Sequence, residues 1–596
     1  MASRIEDYAL IGDCRSAALI GRDGSIDWLC WPRFDSQACF AALLGTPEHG
    51  RWLLRPAACG TATRRRYRGK TFVLETDFDT SDGAVTLIDF MSMNGAGQAL
   101  IRLVVAKRGR VAMRSELAIR FGYGDVVPWV NRLEDGTVRA IAGPDQLALR
   151  TTAPLRGEAF KTVSEFSIME GETVPFVLSY AASHLPLPKP VDCCAALAAT
   201  EAFWTAWADR CRYEGPWADA VVRSHLVLKA LTYAPTGGIV AAPTTSLPEL
   251  PRGSRNWDYR FCWLRDSTFS LLSLMNAGYF DEAQAWRDWL LRAVAGSPDR
   301  LQIMYGVAGE RDLTERELAW LPGYECSLPV RIGNAAHGQL QLDVYGEVMD
   351  TLHQARRGGL EYSEVSWALQ RALVSHLETI WQQPDEGIWE VRSGRQHFTH
   401  SKVMAWVALD RAIRSAEEFR LEAPLKQWRV LRGQIHEEVC RRGYNADLGS
   451  FVRCYDGQTL DASLLLIPLV GFLPADDSRV RGTVRAVEQR LMVDGLVLRY
   501  DTQHTKDGLP PGEGAFLACS FWLADNFVLL GRHDDARKLF ERLLETCNDV
   551  GLLAEEYDPR SRRQLGNFPH VFSHVALADT ARNLTAAAKP ARQRSD

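Results

Sequence analysis

The sequence has no apolar run long enough to cross a membrane and no block of like charge. Hydrophobic residues make up 46% of its 596 positions but stand in short patterned runs, far from the roughly 18 consecutive apolar residues of a spanning helix. The 69 basic and 74 acidic residues are interspersed and give a net charge of −5. Because no basic surface is indicated, we expect neither nucleic acid nor a membrane as partner, and a small neutral molecule fits better.

The cysteines indicate neither disulfide bonds nor a metal site. The 13 cysteines are odd in number and scattered, without a CxxC pair, so neither a disulfide framework nor a zinc site is indicated. No His, Asp or Glu group has ligand-like spacing, and we predict no metal and no cofactor.

Charges at Arg4, Glu6 and Asp7 stand where a secretory signal would be apolar, which predicts a cytoplasmic protein. A homo-oligomer is compatible with the sequence.

Two halves of the chain differ in periodicity. As far as about Leu187, short extended runs such as ALIRLVVAKRG and QLALRTT alternate with turn residues, which is typical of a β-sandwich. The segment LPLPKPVD marks the boundary, since its prolines end a strand. We predict an N-terminal β-sandwich domain over residues 1–190, a linker helix over 191–215, a helical domain over 216–588 and a disordered tail over 589–596.

The second half contains twelve segments with helical spacing of apolar residues. These segments start near Trp217, Asp266, Asp281, Leu342, Ser363, Thr399, Pro424, Leu460, Asp477, Ala515, His533 and His570. Short turns and long Gly/Trp-rich loops join them alternately. This alternation predicts six helical hairpins closed into a ring.

Loops rich in Trp, Arg, Asp and Glu precede the even-numbered helices of this series. They include NWDYRFCWLRD, EGIWEVRSGRQHF, PPGEGAF and LLAEEYDP. In a ring of antiparallel pairs, every even helix starts at the same end. We therefore expect these loops to converge on one mouth, where a pocket with catalytic groups would lie.

Glu390 and Glu555 are the leading candidates for catalysis, because hydrolysis of a glycosidic bond needs one carboxyl as acid and another as base. Trp389 precedes Glu390, and an indole beside a carboxyl favours its neutral form, as a general acid requires. Glu555 stands beside Glu556 and a tyrosine, which could hold it ionised as a base. The alternative is that either glutamate is a solvated or helix-capping residue.

A second group of candidates crowds into ten residues before the second helix. Asp258 and Asp266, with Arg260 and Arg265, alternate there with three aromatic residues, Trp257, Tyr259 and Trp263. Carboxylates and guanidinium groups can bind vicinal sugar hydroxyls while aromatic rings pack on C–H faces. The alternative is a structural Arg/Asp pair with Asp266 as helix N-cap.

Other polar residues compete for roles at the mouth. Glu513, in GEGAF, is the main competitor of Glu555 as base, and its flanking glycines allow close approach of a ligand. His397 and Lys402 follow Glu390 and could reach hydroxyls or tune the acid, whereas we interpret His400 as a buried histidine.

Taken together, these motifs resemble glycoside hydrolase family 15, the glucoamylase family, and especially its prokaryotic trehalase-like branch, over nearly the whole chain. WLRDS is similar to the family's sugar-binding motif, GIWEV to the loop of the general acid, LLAEEYD to that of the general base and GEGAFLACSFW to a subsite loop. The resemblance implies Glu390 as acid, Glu555 as base and Arg265 with Asp266 as glucose clamp. It also implies an (α/α)6 barrel behind an N-terminal β-sandwich, and inversion at the anomeric carbon.

The function expected is an inverting glycoside hydrolase that releases glucose from an α-glucoside, with α,α-trehalose as the substrate favoured. One alternative is a glucoamylase-like exo-α-glucosidase acting on maltooligosaccharides or isomaltose- and dextran-type ends. Others are a phosphorylase and a catalytically silent carbohydrate-binding protein. Glu513 and Ala515 stand in the subsite loop where secreted fungal glucoamylases have other residues, which distinguishes this chain from starch-degrading members.

Overall fold

The computed structural model describes residues 2–58, 62–93, 97–360, 363–585 and 594. The first part of the chain consists of strands. They are β1 (Tyr8–Gly12), β2 (Ala17–Gly21), β3 (Ser25–Cys30), β4 (Ala38–Phe40), β5 (Arg51–Pro56), β6 (Arg64–Tyr67), β7 (Leu74–Asp79), β8 (Gly83–Met91), β9 (Gln98–Ala118), β10 (Trp129–Arg132), β11 (Val138–Ala142), β12 (Asp145–Thr151), β13 (Arg156–Glu158), β14 (Lys161–Met169) and β15 (Thr173–Ala182).

The long strand β9 organises this β-rich part. Its first half pairs antiparallel with β8 and β15, and its second half with β5 and β14. Between the halves lies an exposed stretch with Gly109 at a φ of 67°, a conformation that glycine adopts without a Cβ penalty. Strands of the two groups face each other, since the rings of Trp52 in β5 and Phe176 in β15 lie 6.3 Å apart. Their apolar side chains form the core of this half.

A helix, α1 (Cys193–Ala208), follows the strands, and the Asp192 carboxylate caps its first turn by accepting from the amides of Cys194 and Ala195. Within the described residues, twelve helices come next. They are α2 (Ala218–Ala230), α3 (Ser267–Ala277), α4 (Phe280–Val294), α5 (Asp343–Arg357), α6 (Glu364–Ile380), α7 (Thr399–Glu418), α8 (Leu425–Arg442), α9 (Leu466–Leu469), α10 (Ser478–Arg490), α11 (Leu517–Leu529), α12 (His533–Leu544) and α13 (Val571–Thr585).

Each of these twelve helices coincides with one predicted segment, α9 being a short helix preceded by a 3₁₀ turn over Ala462–Leu465. Six of them form an inner layer in which neighbours touch in sequence: α3 contacts α5, α5 contacts α7, α7 contacts α9, α9 contacts α11, α11 contacts α13, and α13 contacts α3 again. The other six lie outside, for example α8 on α7 and α12 on α11. A β-rich first half followed by a helical second half is thus confirmed.

The long loops between helices carry short strands. They are β16 (Thr232–Tyr233), β17 (Gly238–Ile239), β18 (Thr245–Pro248), β19 (Asn256–Asp258), β20 (Cys262–Trp263), β21 (Met304–Tyr305), β22 (Arg316–Glu317), β23 (Arg331–Ile332), β24 (Tyr444–Asn445), β25 (Ser450–Phe451), β26 (Met492–Val493), β27 (Leu496–Val497), β28 (Ala515–Phe516), β29 (Glu556–Asp558) and β30 (Arg563–Leu565). In the described part of the chain, no helix has the length and apolarity to cross a membrane.

The predicted domain boundaries remain predictions. Of the predicted disordered tail, residues 589–593, 595 and 596 lie outside the described residues, and Arg594 is described and buried.

Candidate active site

A cleft opens where several loops that precede inner helices meet, and such clefts are the usual location of small-molecule sites. Its lining residues come from the loops before α3, α5, α7 and α11. They are Glu249, Arg255, Trp257, Tyr259, Arg265, Asn334, Ala336, Ile388, Trp389, Glu390, Arg392, Arg499, Tyr500, Leu509 and Phe516. The loops thus meet at one end, as predicted.

Glu390 lies in the wall of this cleft and is held by two donors. The indole Nε1 of Trp263 donates to its Oε1 at 2.7 Å, and Nη1 of Arg265 donates to the same oxygen at 2.9 Å. Arg265 also donates to the carbonyl of Ile388 at 2.8 Å. Because both contacts converge on Oε1, the orientation of the carboxyl is fixed while a proton can reside on Oε2.

The backbone of Glu390 is strained. Its φ is 57°, in the left-handed region that costs a non-glycine residue free energy and is tolerated where the surroundings impose it. Glu390 belongs to the loop before α7, and its carboxyl meets Arg265 from the loop before α3. Such outliers cluster at functional sites.

Glu555 is fully buried and does not belong to the described lining of the cleft. Its Oε2 accepts from the amide of Asn567 at 3.3 Å. Gly566 makes this position possible, because a Cβ there would lie 2.6 Å from that same oxygen. Burial, followed by the charge of Glu249, raises the pKa of Glu555 to about 8.

Arg499 joins three further carboxylates beside Glu555. Its Nη2 lies 2.7 Å from Glu249, 2.7 Å from Glu513 and 3.2 Å from Glu556. Glu513 is therefore engaged in an ion pair, and Glu556 additionally accepts from the amide of Gly514 at 2.8 Å. Arg255 also lies 3.2 Å from Glu513 and 3.9 Å from Glu249, so two guanidinium groups face three buried glutamates. Burial raises the pKa of Glu249 and of Glu556.

The predicted clamp residues stand together at the start of α3. Arg265 Nε donates to Asp266 Oδ1 at 3.2 Å. Asp266 is the N-cap residue of α3, but its side chain makes no capping hydrogen bond. The carboxylate is thus held by the neighbouring guanidinium group, an arrangement that leaves acceptor capacity for a hydroxyl donor.

Two tryptophans form walls of the cleft. The guanidinium groups of Arg392 and Arg331 contact Trp257, with their carbons 4.2 and 4.6 Å from its ring centroid. Trp389 donates through Nε1 to Asp461 at 2.8 Å. Both rings are therefore fixed in orientation and can pack against an apolar sugar face.

Three predicted site residues lie away from this cleft. Asp258 is fully buried and its two oxygens accept from Arg260, at 2.8 and 2.6 Å. Lys402 is fully buried and donates to the carbonyls of Trp381 and Gln383, just beyond the end of α6. The ring of His397 stacks on Tyr455 at a centroid distance of 6.0 Å. The described contacts of these three are structural.

Tyr259 was named from the sequence only as one of three aromatic residues before α3, and Glu249 and Arg499 were not predicted. Tyr259 lies between the carboxylates: burial raises its pKa, with further contributions from the charges of Glu555, Glu249 and Glu390. Glu249 accepts from Trp257 Nε1 at 3.1 Å, and Arg499 was missed as well. Their positions in long loops before α3 and α11 are the signal that could have identified them.

A cation site can be considered only at the glutamate cluster. One oxygen each of Glu249, Glu555 and Glu556 lies within 4.8 Å of the others, which makes this the one such group found among the described residues. Arg499 already contacts two of the three. The cluster alone therefore does not define a metal site.

A cleft carboxyl held by Trp263 and Arg265, an adjacent Arg–Asp pair and aromatic side chains in the cleft wall fit the class of glycoside hydrolases. Comparisons with known proteins agree with this class. The model of "Glycosyl hydrolases family 15" matches residues 215–582, and the model "Trehalase-like, N-terminal" matches residues 1–161. The chain belongs to glycosyl hydrolases family 15.

Several relatives are similar over nearly the full length. A trehalase of Mycolicibacterium smegmatis is 38% identical, covering 96% of this chain and 90% of the relative. A trehalase of Thermoplasma volcanium is 34% identical, with coverage of 98% and 93%. Among solved structures, a bacterial glucoamylase complexed with acarbose matches with a TM-score of 0.75 at 13% identity, covering 98% of this chain and 94% of that one; this likeness concerns the fold.

Proposed function

We propose that this protein hydrolyses α,α-trehalose to glucose with inversion at the attacked carbon, in an (α/α)6 barrel that follows an N-terminal β-sandwich. The observation that supports the substrate most is the full-length similarity to trehalases. The closed series of contacts among the six inner helices supports the barrel. The two facing groups of strands that share β9 support the sandwich.

Glu390 acts as the general acid. Its Oε1 is held by Trp263 and Arg265, so the proton on Oε2 is directed away from these donors and can pass to the bridging oxygen of the disaccharide. Arg265 and Asp266 hold the glucose unit whose anomeric carbon is attacked, through paired donors and acceptors at the start of α3. Trp257 and Trp389 pack against the sugar.

Glu555 acts as the general base. It removes a proton from a water molecule that attacks the anomeric carbon from the face opposite the leaving oxygen, which requires a carboxyl separation of roughly 6.5–9.5 Å. Glu513 and Glu556 share Arg499, so both carboxylates are held in ion pairs, whereas the ion pairs of the described residues do not include Glu555. This difference favours Glu555 over its neighbours as base.

Inversion makes a stereochemical prediction. Attack with inversion on one α-linked glucose releases it as the β-anomer, while the other glucose leaves as the α-anomer. Proton NMR early in the reaction should therefore show the two anomers in equal amounts before mutarotation. Two α-anomers would contradict inversion, and release of glucose from maltose or isomaltose but not from trehalose would contradict the substrate.

The catalytic roles are tested by amide substitution. We expect Glu390→Gln and Glu555→Gln each to lower kcat by about 10²–10⁴-fold, since each removes a proton-transfer group, with unchanged circular dichroism. Glu541→Gln, on the exposed face of α12, is the matched control and should retain the activity. Undiminished turnover in either cleft variant would refute the role assigned to that residue.

A further inference from the structure

Arg594 lies inside the layer of inner helices, although it belongs to the segment that follows α13. It is 6% exposed. Its Nε donates to Asp350 Oδ2 at 2.6 Å, and its Nη2 donates to Glu347 Oε2 at 3.2 Å. The guanidinium carbon lies 4.5 Å from the ring centroid of Phe269, and the Arg594 carbonyl accepts from Arg411. Two ion pairs, one cation–π contact and one hydrogen bond to the backbone carbonyl thus hold Arg594.

The region that Arg594 enters is acidic. Glu347 and Asp350 of α5 accept from the Arg594 guanidinium group. Asp525 of α11 and Asp579 of α13 line the cavity that Arg594 enters, together with Arg582. A buried carboxylate is costly unless it is paired. Burial raises the pKa of Glu347 to about 7 although Arg594 opposes the shift. For Asp350 the effect of burial is outweighed by Arg411 and Arg594, which lower its pKa.

This cavity extends along α3 from Phe269 in its first turn to Asn276 near its end. Phe269, which the guanidinium group covers, and Thr268, whose hydroxyl donates to the Glu347 carbonyl at 3.0 Å, belong to the first turn of that helix. Arg265 and Asp266 immediately precede this turn. A group that fills the cavity therefore supports the turn that carries the Arg–Asp pair.

We propose that the acidic cavity formed by Glu347, Asp350, Asp525 and Asp579 is a guanidinium-binding site whose ligand is Arg594 of the same chain, and that its occupancy supports the first turn of α3. The binding site stands independently of the reaction. The consequence for substrate binding rests on the proposed function of Arg265 and Asp266.

The first test is thermal unfolding of the full chain without substrate. Arg594→Ala leaves Glu347 and Asp350 with less positive charge in a buried cavity, so we expect Tm to fall by about 3 °C or more. Arg594→Lys keeps the charge but not the planar guanidinium group. Its Tm should lie between that of Arg594→Ala and that of the unchanged protein. Arg592→Ala removes the same charge from the same segment and is the matched control.

The second test is chemical rescue of Arg594→Ala. Millimolar ethylguanidinium should restore part of the lost Tm and bind saturably in isothermal titration calorimetry, whereas N-ethylurea, similar in shape but neutral, should do neither. If Arg594→Ala does not fold, rescue of Arg594→Lys by the same cation replaces it. Equal Tm values for Arg594→Ala and Arg592→Ala, or equal effects of cation and urea, would overturn the proposal.

Kinetics then address the support of α3. With trehalose as substrate, Arg594→Ala should raise KM by about threefold to tenfold with a smaller change in kcat, and ethylguanidinium should reverse the rise. A normal KM together with guanidinium-dependent Tm would retain the binding site and refute the coupling to α3. If neither the variant nor the unchanged protein hydrolyses trehalose, the proposed function fails while the Tm and calorimetric results still decide the site.

Discussion

At the scale of single residues, the protonation of Glu555 depends on the balance of charge around it. Glu249, Glu556, Arg499 and Tyr259 are the titratable or charged groups that face it. Burial and then the negative charge of Glu249 raise its pKa to about 8, and Arg499 opposes them. A general base must be ionised to accept a proton from water. We therefore expect the limb of the kcat/KM profile that reports ionisation of Glu555 to lie at higher pH than for an ordinary glutamate, while a second limb reports loss of the proton from Glu390.

Substitution of Glu249 tests this balance. Glu249→Gln removes a like charge, so the pKa of Glu555 falls and the acidic limb of the kcat/KM profile moves to lower pH. Glu513→Gln also removes a partner of Arg499 and serves as control, with a smaller displacement expected. The measurement is the pH dependence of kcat/KM for both variants. If the acidic limb of Glu249→Gln lies at the same pH as that of the unchanged protein, the electrostatic coupling of Glu249 to Glu555 is refuted.

Neighbouring residues of one motif can have opposite roles, and this limits prediction from sequence. Trp257 and Asp258 are adjacent in β19, where successive side chains point to opposite faces. Trp257 therefore lines the cleft while Asp258 turns inward to Arg260. The composition of the motif predicted a sugar site near α3, but the composition could not show which of the two aspartates, Asp258 or Asp266, faces the cleft.

At the scale of elements, turns with glycine in a left-handed conformation place the catalytic loops. Gly566 has a φ of 73°, and an added Cβ would lie 2.6 Å from Glu555 Oε2. Gly531, between α11 and α12, has a φ of 76° but no atom within 4 Å of the added Cβ. The two glycines therefore share the conformational requirement and differ in steric surroundings.

This pair of glycines gives a matched experiment. Gly531→Ala should destabilise the protein only by the cost of a left-handed alanine, about 1–2 kcal/mol. Gly566→Ala adds displacement of the Glu555 carboxylate, so we expect a larger loss of Tm together with a fall in kcat of roughly 10²-fold. Calorimetry and steady-state kinetics on both variants decide. Equal activity of the two would show that Gly566 does not position the base.

Helices were predictable because each buries one face and so repeats apolar residues with helical spacing. All twelve positions in the second half could be identified in this way, including α9, although that helix covers only Leu466–Leu469. The short strands of the long loops could not, because two-residue strands such as β20 and β28 are too short to show alternation. Those strands position Trp263 and the loop around Glu513. Because the strands could not be predicted, the positions of these site residues could not be predicted either.

At the scale of the whole molecule, residues of the β-rich half form hydrogen bonds with the loops of the helical half that lead to the cleft. Trp28 donates to the carbonyl of Pro243 at 2.8 Å, and Arg260 donates to the carbonyl of Ser36 at 2.8 Å. Tyr324 donates to the carbonyl of Ser3 at 3.0 Å. Such contacts join residues far apart in sequence, so local patterns gave no sign of them. The conformation of the cleft therefore depends on both halves.

One ion pair between the halves lies next to the loop of the proposed base. The side chain of Arg65 is fully buried and its Nη2 lies 2.6 Å from Asp549, which precedes LLAEEYD by two residues. Asp549→Asn leaves this buried cation without its counter-charge, at a cost that exceeds that of losing an exposed pair. We expect Tm to fall by about 2–5 °C and kcat/KM to fall by up to about tenfold through displacement of the loop.

Asp494→Asn is the matched control, because the pair of Asp494 with Arg560 is exposed, with side-chain exposures of 50% and 77%. Its Tm should stay within about 1 °C of the unchanged protein. Differential scanning calorimetry of Asp549→Asn also distinguishes how the halves are coupled. If the β-rich half and the helical half unfold as one unit, a single transition moves to lower temperature, because the ion pair stabilises both halves. Two transitions, of which only one moves, would show that the β-rich half does not stabilise the helical half through this contact.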